Sequence, residues 1–176
     1  MSPRVDYTAS SPAGMKALGA VYAYVRQAGL PTRMVDLVFL RVSQINGCAF
    51  CIDTHSRDLL KAGMPVEHLV LLAAWPETGN IFSEQERAAL AWAETVTRLG
   101  ERGVPDDAFE AASAAFGEKQ LVDLTIAIGL MNAYNRVAIS FRATPLALNS
   151  PQALAGENSR WRGAGPTRTA KASEPS

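Results

Sequence analysis

The stretch of sequence that decides the fold runs from residue 32 to residue 61 and reads TRMVDLVFLRVSQINGCAFCIDTHSRDLLK. Its first half is apolar around nearly the whole axis of a helix, which predicts a helix at the centre of the core. Asn46 and Gly47 end that helix, and a second helix opens at Cys48 and continues to a glycine stop at Gly63. We therefore expect two consecutive helices joined by a short turn, with a cysteine where the second one begins.

The flanking sequence continues the helical pattern. Proline and glycine recur between helix-length segments, and no alternating apolar and polar run is long enough to indicate a strand. The sequence predicts an all-α fold, a compact domain of about six to seven helices over residues 1–144. The predicted helices open near Pro12, Thr32, Cys48, Pro65, Ser83, Pro105 and Leu121.

Length and charge limit the function classes. A chain of 176 residues predicts one domain. Residues 145–176 are rich in Pro, Gly, Ser, Thr, Ala and Arg without apolar periodicity, which predicts a flexible tail. Because 17 basic residues balance 17 acidic ones, we expect neither nucleic acid nor an anionic membrane as a partner.

Membrane insertion and secretion are not expected. The longest apolar stretch, 121–141, is interrupted by polar and charged residues that a bilayer core accepts only at considerable cost. The first twelve residues lack a basic region followed by an apolar run, which favours the cytoplasm, where thiols are normally reduced. The two cysteines lie only three residues apart and cannot form a structural disulfide framework. Their spacing instead indicates a chemically reactive site.

The motif is C-x-x-C-x-x-x-H, formed by Cys48, Cys51 and His55 at the start of the second helix. Spacings of three, four and seven place the three side chains on one helix face. A thiol in the first helical turn lies near free backbone N–H groups and the positive end of the helix dipole, which favour the thiolate. The imidazole can accept or return a proton, and the second thiol can capture an oxidised first one as a disulfide.

Other interpretations of the motif are less favoured. Packing poorly explains two cysteines at a helix start followed by a histidine. A zinc site needs four ligands, and Cys48, Cys51 and His55 lack a fourth, since His68 is expected in solvent. No metal and no bound cofactor are therefore expected. A thioredoxin-like motif belongs after a strand, and none is predicted.

Asp36 is a further candidate residue because it interrupts the apolar central helix. A carboxyl group buried there would have a raised pKa and could hold or pass a proton. Alternatively it is a surface group paired with Arg33 across one turn. The polar residues of the last helix are equally open: they line a pocket or subunit interface, or they form a solvated stripe. They are Asn132, Asn135 and Arg136.

These residues resemble the alkyl hydroperoxidase D-like (AhpD-like) family of the carboxymuconolactone decarboxylase superfamily. The family signature is a glutamate, eleven residues and then C-x-x-C-x-x-x-H, and Asp36, Cys48, Cys51 and His55 occupy its four positions. Two departures are Asp36, which is one methylene shorter than glutamate, and Phe50, where some members have a second histidine. The likeness spans residues 10–144 and includes Glu86–Leu90 and Tyr134–Arg136.

The resemblance implies an all-helical homo-oligomer that reduces peroxides with thiols, without metal or flavin. It implies Cys51 as the attacking thiolate, Cys48 as the resolving thiol, His55 as the base and Asp36 as the start of a proton relay. Helix position alone favours Cys48 as strongly as Cys51. The substrate would be a hydroperoxide, and the reductant a thioredoxin-like or lipoyl-carrying dithiol protein.

Three hypotheses of function follow from the motif and the resemblance. The first is a dithiol peroxidase that cycles between thiolate, sulfenic acid and disulfide. The second is a redox-sensing or assembly module, in which the same disulfide changes subunit packing without turnover. The third is the lactone decarboxylase chemistry of the superfamily, which does not require a pair of cysteines.

Overall fold

The computed structural model describes residues 2–101 and 103–149. Over these residues the chain forms eight α-helices and two 3-10 helices and contains no β-strand, which confirms the all-α prediction. The α-helices are α1 (Tyr7–Ser10), α2 (Pro12–Gln27), α3 (Thr32–Asn46), α4 (Ala49–Lys61), α5 (Val66–Leu71), α6 (Glu84–Thr97), α7 (Asp106–Ala115) and α8 (Glu118–Phe141), and the 3-10 helices are Leu72–Glu77 and Leu146–Asn149.

Local sequence signals determine several helix ends. Ser83 and Glu86 form a capping box at the predicted start of α6: the Ser83 hydroxyl accepts from the Glu86 N–H at 3.2 Å, and the Glu86 carboxylate accepts from the Ser83 N–H at 2.9 Å. Gly47 closes α3 in the left-handed conformation, with φ of 68°. The four-residue helix α1 was not predicted. Its signal is Asp6, whose carboxylate accepts from two backbone N–H groups.

Helix α3 lies at the centre of the fold, as its sequence predicts, and packs against α4, α6 and α8. Its side chains are buried on every side because neighbouring helices surround it. One face joins the larger apolar cluster with α6 and α8, and another joins a smaller cluster beneath α4 and the first 3-10 helix. The buried apolar residues of α3 are Met34, Val35, Leu37, Val38, Phe39, Leu40 and Val42.

The end of the described chain packs against α4, the helix that begins at the dithiol motif. After α8 the 3-10 helix at 146–149 lies against α4, where the Asp53 carboxylate accepts a hydrogen bond from the Ala147 N–H at 2.9 Å. Residues 150–176, most of the predicted tail, lie outside the described residues, so the flexible tail stays a prediction. Among the helices that the structure describes, none has the length and apolar content to cross a bilayer.

Gly47 and Gly129 provide a test of this backbone. Gly47 has positive φ and open space around its missing Cβ, so Gly47→Ala should lower the free energy of unfolding by about 1 kcal/mol through backbone strain alone. Gly129 lies inside α8, also with open space, so Gly129→Ala should raise it by up to about 1 kcal/mol. Urea denaturation measures both changes. Equal effects of the two substitutions would contradict the assigned turn.

Candidate active site

The two thiols lie together at the start of α4. Cys48 is the N-cap residue, and its Sγ accepts a hydrogen bond from the Cys51 backbone N–H at 3.4 Å. The left-handed turn at Gly47 directs the chain from α3 into this cap. The two sulfurs are 2.7 Å apart, both cysteines are free, and they are only 1% and 5% exposed. The sequence motif therefore forms a reduced, buried pair with its sulfurs in contact.

Hydrogen bonds place the negative charge of the pair on Cys48. The pKa of Cys48 is lowered to about 7, mainly because the Cys51 thiol donates a hydrogen bond to its sulfur. The backbone N–H groups of Cys51 and Phe50 and the Asn135 amide add to this effect, while burial opposes it. The same thiol contact raises the pKa of Cys51. Near pH 7 the Cys48 thiol is therefore partly ionised, and its thiolate accepts a hydrogen bond from the Cys51 thiol.

Asn135 connects the thiols to the core. It is fully buried, and its amide N–H group donates to the Ser43 hydroxyl at 3.1 Å. Its carbonyl oxygen accepts from the Asn46 side chain at 2.9 Å. Both Asn135 and Ser43 favour the ionised form of the thiols. The sequence left the role of Asn135 open and did not single out Ser43, because these partners lie 92 positions apart.

Asp36 is buried, and its partner is Arg26 on α2 rather than Arg33. The Arg26 guanidinium donates to the Asp36 carboxylate at 2.7 Å and to the Tyr22 hydroxyl at 3.0 Å. Burial raises the pKa of Asp36 although Arg26 opposes the shift. Arg33 instead pairs with Glu86 at 2.7 Å. The interpretation of Asp36 as a surface carboxylate paired with Arg33 is therefore wrong, and the buried one is correct.

His55 lies near Asp36 and lines the same cavity as Cys51. It is 6% exposed, and its ring packs on the Phe39 ring with centroids 5.2 Å apart. Burial lowers its pKa from 6.5 to about 4, so the imidazole is neutral at pH 7. Its Nδ1 has no hydrogen-bond partner within the described part of the chain and lies 3.8 Å from the Asp58 carboxylate. A neutral, unpaired imidazole nitrogen can accept a proton.

The described residues contain one group suited by composition to a metal ion. Possible ligand atoms of Asp36, His55 and Asp58 lie within 4.8 Å of one another, and the thiols do not belong to this group. Arg26 lies 2.7 Å from the same Asp36 carboxylate and places a positive charge against any cation there. Three ligands beside a guanidinium make a poor cation site. Asp58 was not singled out in the sequence.

Cys51 and His55 open into a cavity of about 280 Å³, here termed the Cys51 cavity. Three tyrosines, Phe50 and aliphatic side chains form most of its wall. Cys48 does not line it; this residue lines a second cavity of about 370 Å³, termed the Cys48 cavity. The Cys51 cavity is lined by Tyr7, Tyr22, Phe50, Cys51, Thr54, His55, Asp58, Met131, Tyr134, Val137 and Ala138.

Comparison with known proteins places this geometry in a family. The model of the carboxymuconolactone decarboxylase family matches residues 12–95, which include the dithiol motif and the central helix. A Bacillus subtilis protein, YdfG, whose activity is uncharacterised, is 37% identical over 140 residues, covering 80% of this chain and 95% of YdfG. The chain belongs to the carboxymuconolactone decarboxylase family.

Two further relatives connect this chain with AhpD-like proteins. The crystal structure of an Agrobacterium tumefaciens protein of unknown function, described as a putative antioxidant defence protein AhpD, superposes with a TM-score of 0.78. That protein is 41% identical, and the match covers 82% of this chain and 98% of the other. Alkyl hydroperoxide reductase AhpD of Coxiella burnetii is 38% identical over 53 residues, 28% of this chain and 30% of that protein.

The low pKa of His55 predicts a specific dependence of stability on pH. Between pH 6.5 and about pH 4 the unfolded chain binds a proton at His55 that the folded chain does not bind, so stability falls as pH falls. The wild type should lose about 3 kcal/mol more than His55→Gln over this window. Guanidinium unfolding at pH 7, 5.5 and 4.5 measures the difference. Parallel curves for the two proteins would contradict the buried neutral imidazole.

Proposed function

We propose that this chain is a thiol-dependent peroxidase that reduces organic hydroperoxides with Cys48 and Cys51. The observation that supports it best is a buried thiol-thiolate pair, with sulfurs 2.7 Å apart, that opens beside a neutral imidazole. A thiolate supplies the nucleophile, an adjacent thiol supplies the second electron donor, and the imidazole can transfer a proton. Family membership supports the same chemistry.

The first step prepares Cys51, which faces the cavity. At rest the charge is on Cys48 and the proton on Cys51. Transfer of that proton to the Cys48 sulfur, which is in contact with Cys51, leaves Cys51 as a thiolate. Asn135 and Ser43 stabilise this ionised sulfur, because both lower the pKa of Cys51. In this proposal Cys51 attacks although Cys48 carries the charge at rest, since Cys51 opens into the same cavity as His55.

The second step cleaves the peroxide. The Cys51 sulfur forms a bond to one peroxide oxygen, the O–O bond breaks, and the departing alkoxide takes up a proton to become an alcohol. Cys51 is thereby oxidised to a sulfenic acid. The Cys48 sulfur then attacks the Cys51 sulfur, hydroxide leaves and is protonated to water, and a disulfide forms. One thiol, one thiolate, one hydroperoxide and one proton from solvent thus give one disulfide, one alcohol and one water.

Two charged groups, Asp36 and Arg26, lie near His55 during these transfers. The Arg26–Asp36 pair packs beside the imidazole, and Arg26 further lowers the pKa of His55. We propose that Asp36 passes protons to and from His55, as the family glutamate position implies. Asp58, one turn beyond His55, lies near the unpaired Nδ1 and lends a second carboxylate to this relay. A water molecule can bridge the 3.8 Å gap between them.

The cavity favours an organic hydroperoxide over a small polar one. Its wall is mostly aromatic and aliphatic, and Asp58 and His55 are its titratable groups besides the tyrosines and Cys51. An apolar substituent on the peroxide would be removed from water against this wall, at about 25 cal/mol per Å² of buried apolar surface. The oxidised pair then requires an external reductant, for which we propose a thioredoxin-like or lipoyl-carrying dithiol protein.

We also propose that the chain forms a homo-oligomer. A cavity of about 730 Å³ lies between α7 and α8, and it is lined by Trp92, Phe116 and Leu121. Phe109 and Val122 line the same cavity and are 52% and 58% exposed. An apolar surface of this kind is typical of a subunit interface.

The thiol roles are tested with hydroperoxide and intact mass. Cumene hydroperoxide should remove two hydrogens from the wild type, turnover with an added dithiol should be lost in Cys51→Ser, and Cys48→Ser should stop at a sulfenic acid. The matched control Ser140→Ala, a hydroxyl on the surface of α8, should behave as the wild type. No mass change in the wild type would refute the peroxidase proposal. A disulfide without turnover would favour redox sensing instead.

Assembly is tested with Val122→Glu, which places a charge on the exposed α7–α8 surface. Light scattering should give a multiple of the subunit mass for the wild type and a smaller particle for the variant. Val70→Glu is the matched control, because Val70 is 69% exposed on α5 and lines none of the cavities described above. A monomeric wild type would refute the proposed oligomer.

A further inference from the structure

Phe50, between the two cysteines, separates two cavities. It lines both, as does Ala138 from α8, whereas Cys51 lines one cavity and Cys48 the other. Each cysteine therefore lines a cavity of its own, although the two sulfurs are in contact. Where some relatives of the AhpD-like type have a histidine, this chain has an apolar ring that divides the space around the pair.

The Cys48 cavity differs in character from the Cys51 cavity. It lacks the histidine and tyrosines, and apolar side chains from α8 and the following segment form most of its wall. Asp53 holds that segment against α4 through the Ala147 N–H. Arg142 is the one Arg, Lys, Asp or Glu residue that lines the Cys48 cavity. The lining residues other than Phe50 and Ala138 are Gly47, Cys48, Ala49, Ile139, Arg142, Ala143, Thr144, Pro145 and Leu148.

Arg142 has an unusual backbone conformation for this position. It terminates α8 with φ of 57°, where glycine or asparagine is usual. Its guanidinium pairs with no acid among residues 2–101 and 103–149, in contrast to Arg26, Arg33 and Arg41. An arginine that has no acidic partner and lines a cavity favours the binding of an anion there.

We propose that the reducing dithiol reaches the oxidised pair through the Cys48 cavity, on the opposite side of Phe50 from the peroxide. This inference rests on the peroxidase proposal. A thiolate must contact the sulfur that it attacks, and Cys48 lines the Cys48 cavity whereas Cys51 does not. The fitting reductant is a slender aliphatic dithiol with a negative charge, which Arg142 attracts.

The reductant is oxidised in two thiol–disulfide exchange steps. One thiolate of the reductant bonds to the Cys48 sulfur, the Cys48–Cys51 bond breaks, and Cys51 leaves as a thiolate into the cavity that holds His55. The second thiol of the reductant then attacks its own sulfur in the mixed disulfide, and Cys48 leaves as a thiolate. The dithiol becomes a cyclic disulfide, and two electrons and one proton pass to the protein, which regains one thiol and one thiolate. Leaving-group acidity alone would instead favour attack at Cys51.

Mapping the mixed disulfide decides which sulfur is attacked. Wild-type protein oxidised with diamide, which does not depend on peroxidase activity, is mixed with 2-mercaptoethanol and quenched in acid within milliseconds. Chymotrypsin cleaves after Phe50 and separates the two cysteines into different peptides. The proposal expects the adduct on Cys48. An adduct mainly on Cys51 would overturn it, whether or not the protein reduces peroxides.

Two matched tryptophan substitutions on α8 test the separation of the cavities. Ile139 lines the Cys48 cavity and Val137 the Cys51 cavity. Ile139→Trp should slow reduction of the diamide-formed disulfide by dihydrolipoate about tenfold or more, because it narrows access to Cys48. Val137→Trp should instead slow oxidation by cumene hydroperoxide. Thiol alkylation and mass spectrometry follow both half-reactions, and Val70→Trp is the control outside both cavities.

These outcomes separate the two proposals. Failure of the peroxide half-reaction in the wild type refutes the peroxidase alone, since re-reduction is measured on the diamide-oxidised protein. Slower re-reduction in Val137→Trp, or an unchanged rate in Ile139→Trp, overturns the separate route. For Arg142, the wild type should be reduced faster by dihydrolipoate than by the neutral dihydrolipoamide. Arg142→Asn, which tolerates the left-handed backbone, should remove that preference, and an unchanged preference would refute the role of Arg142.

Discussion

The contact between the Cys48 and Cys51 sulfurs is the interaction on which the chemistry of this molecule depends. It exists because Gly47 turns the chain in the left-handed region, which ends α3 and places Cys48 at the cap of α4. A cap residue and the residue three positions later meet at the first turn of a helix. The same contact lowers the pKa of one thiol and raises that of the other. Backbone geometry thus sets the charge of the pair.

The central position of α3 explains how the core and the site are connected. This helix is packed on all sides, and it supplies Asp36 and Ser43 from its buried surface. Neither polar group would be tolerated there without a partner, and each has one: Arg26 bonds to Asp36, and the Phe39 carbonyl and Asn135 bond to Ser43. The apolar core and the polar site therefore share helix α3, and a change in the packing of one affects the other.

Much of the architecture could be predicted from sequence because its signals are local. Proline, glycine and the Ser83–Glu86 box determine helix ends within a few residues, and the motif spacing alone places Cys48, Cys51 and His55 on one face. The partners across the fold could not be predicted. Arg26 reaches Asp36 across the turn between two helices, and Asn135 reaches Ser43 from the last helix. Such contacts depend on how helices cross, which no local pattern specifies.

The burial of both sulfurs has a consequence for reagents in general. Because Cys48 and Cys51 are only 1% and 5% exposed, a reagent must enter one of the two cavities before it can touch a sulfur. Only molecules narrow enough to pass between side chains make contact with them. The protein thus acts as a sieve for electrophiles, in which the shape of a reagent, as much as its intrinsic reactivity, decides whether it modifies the pair.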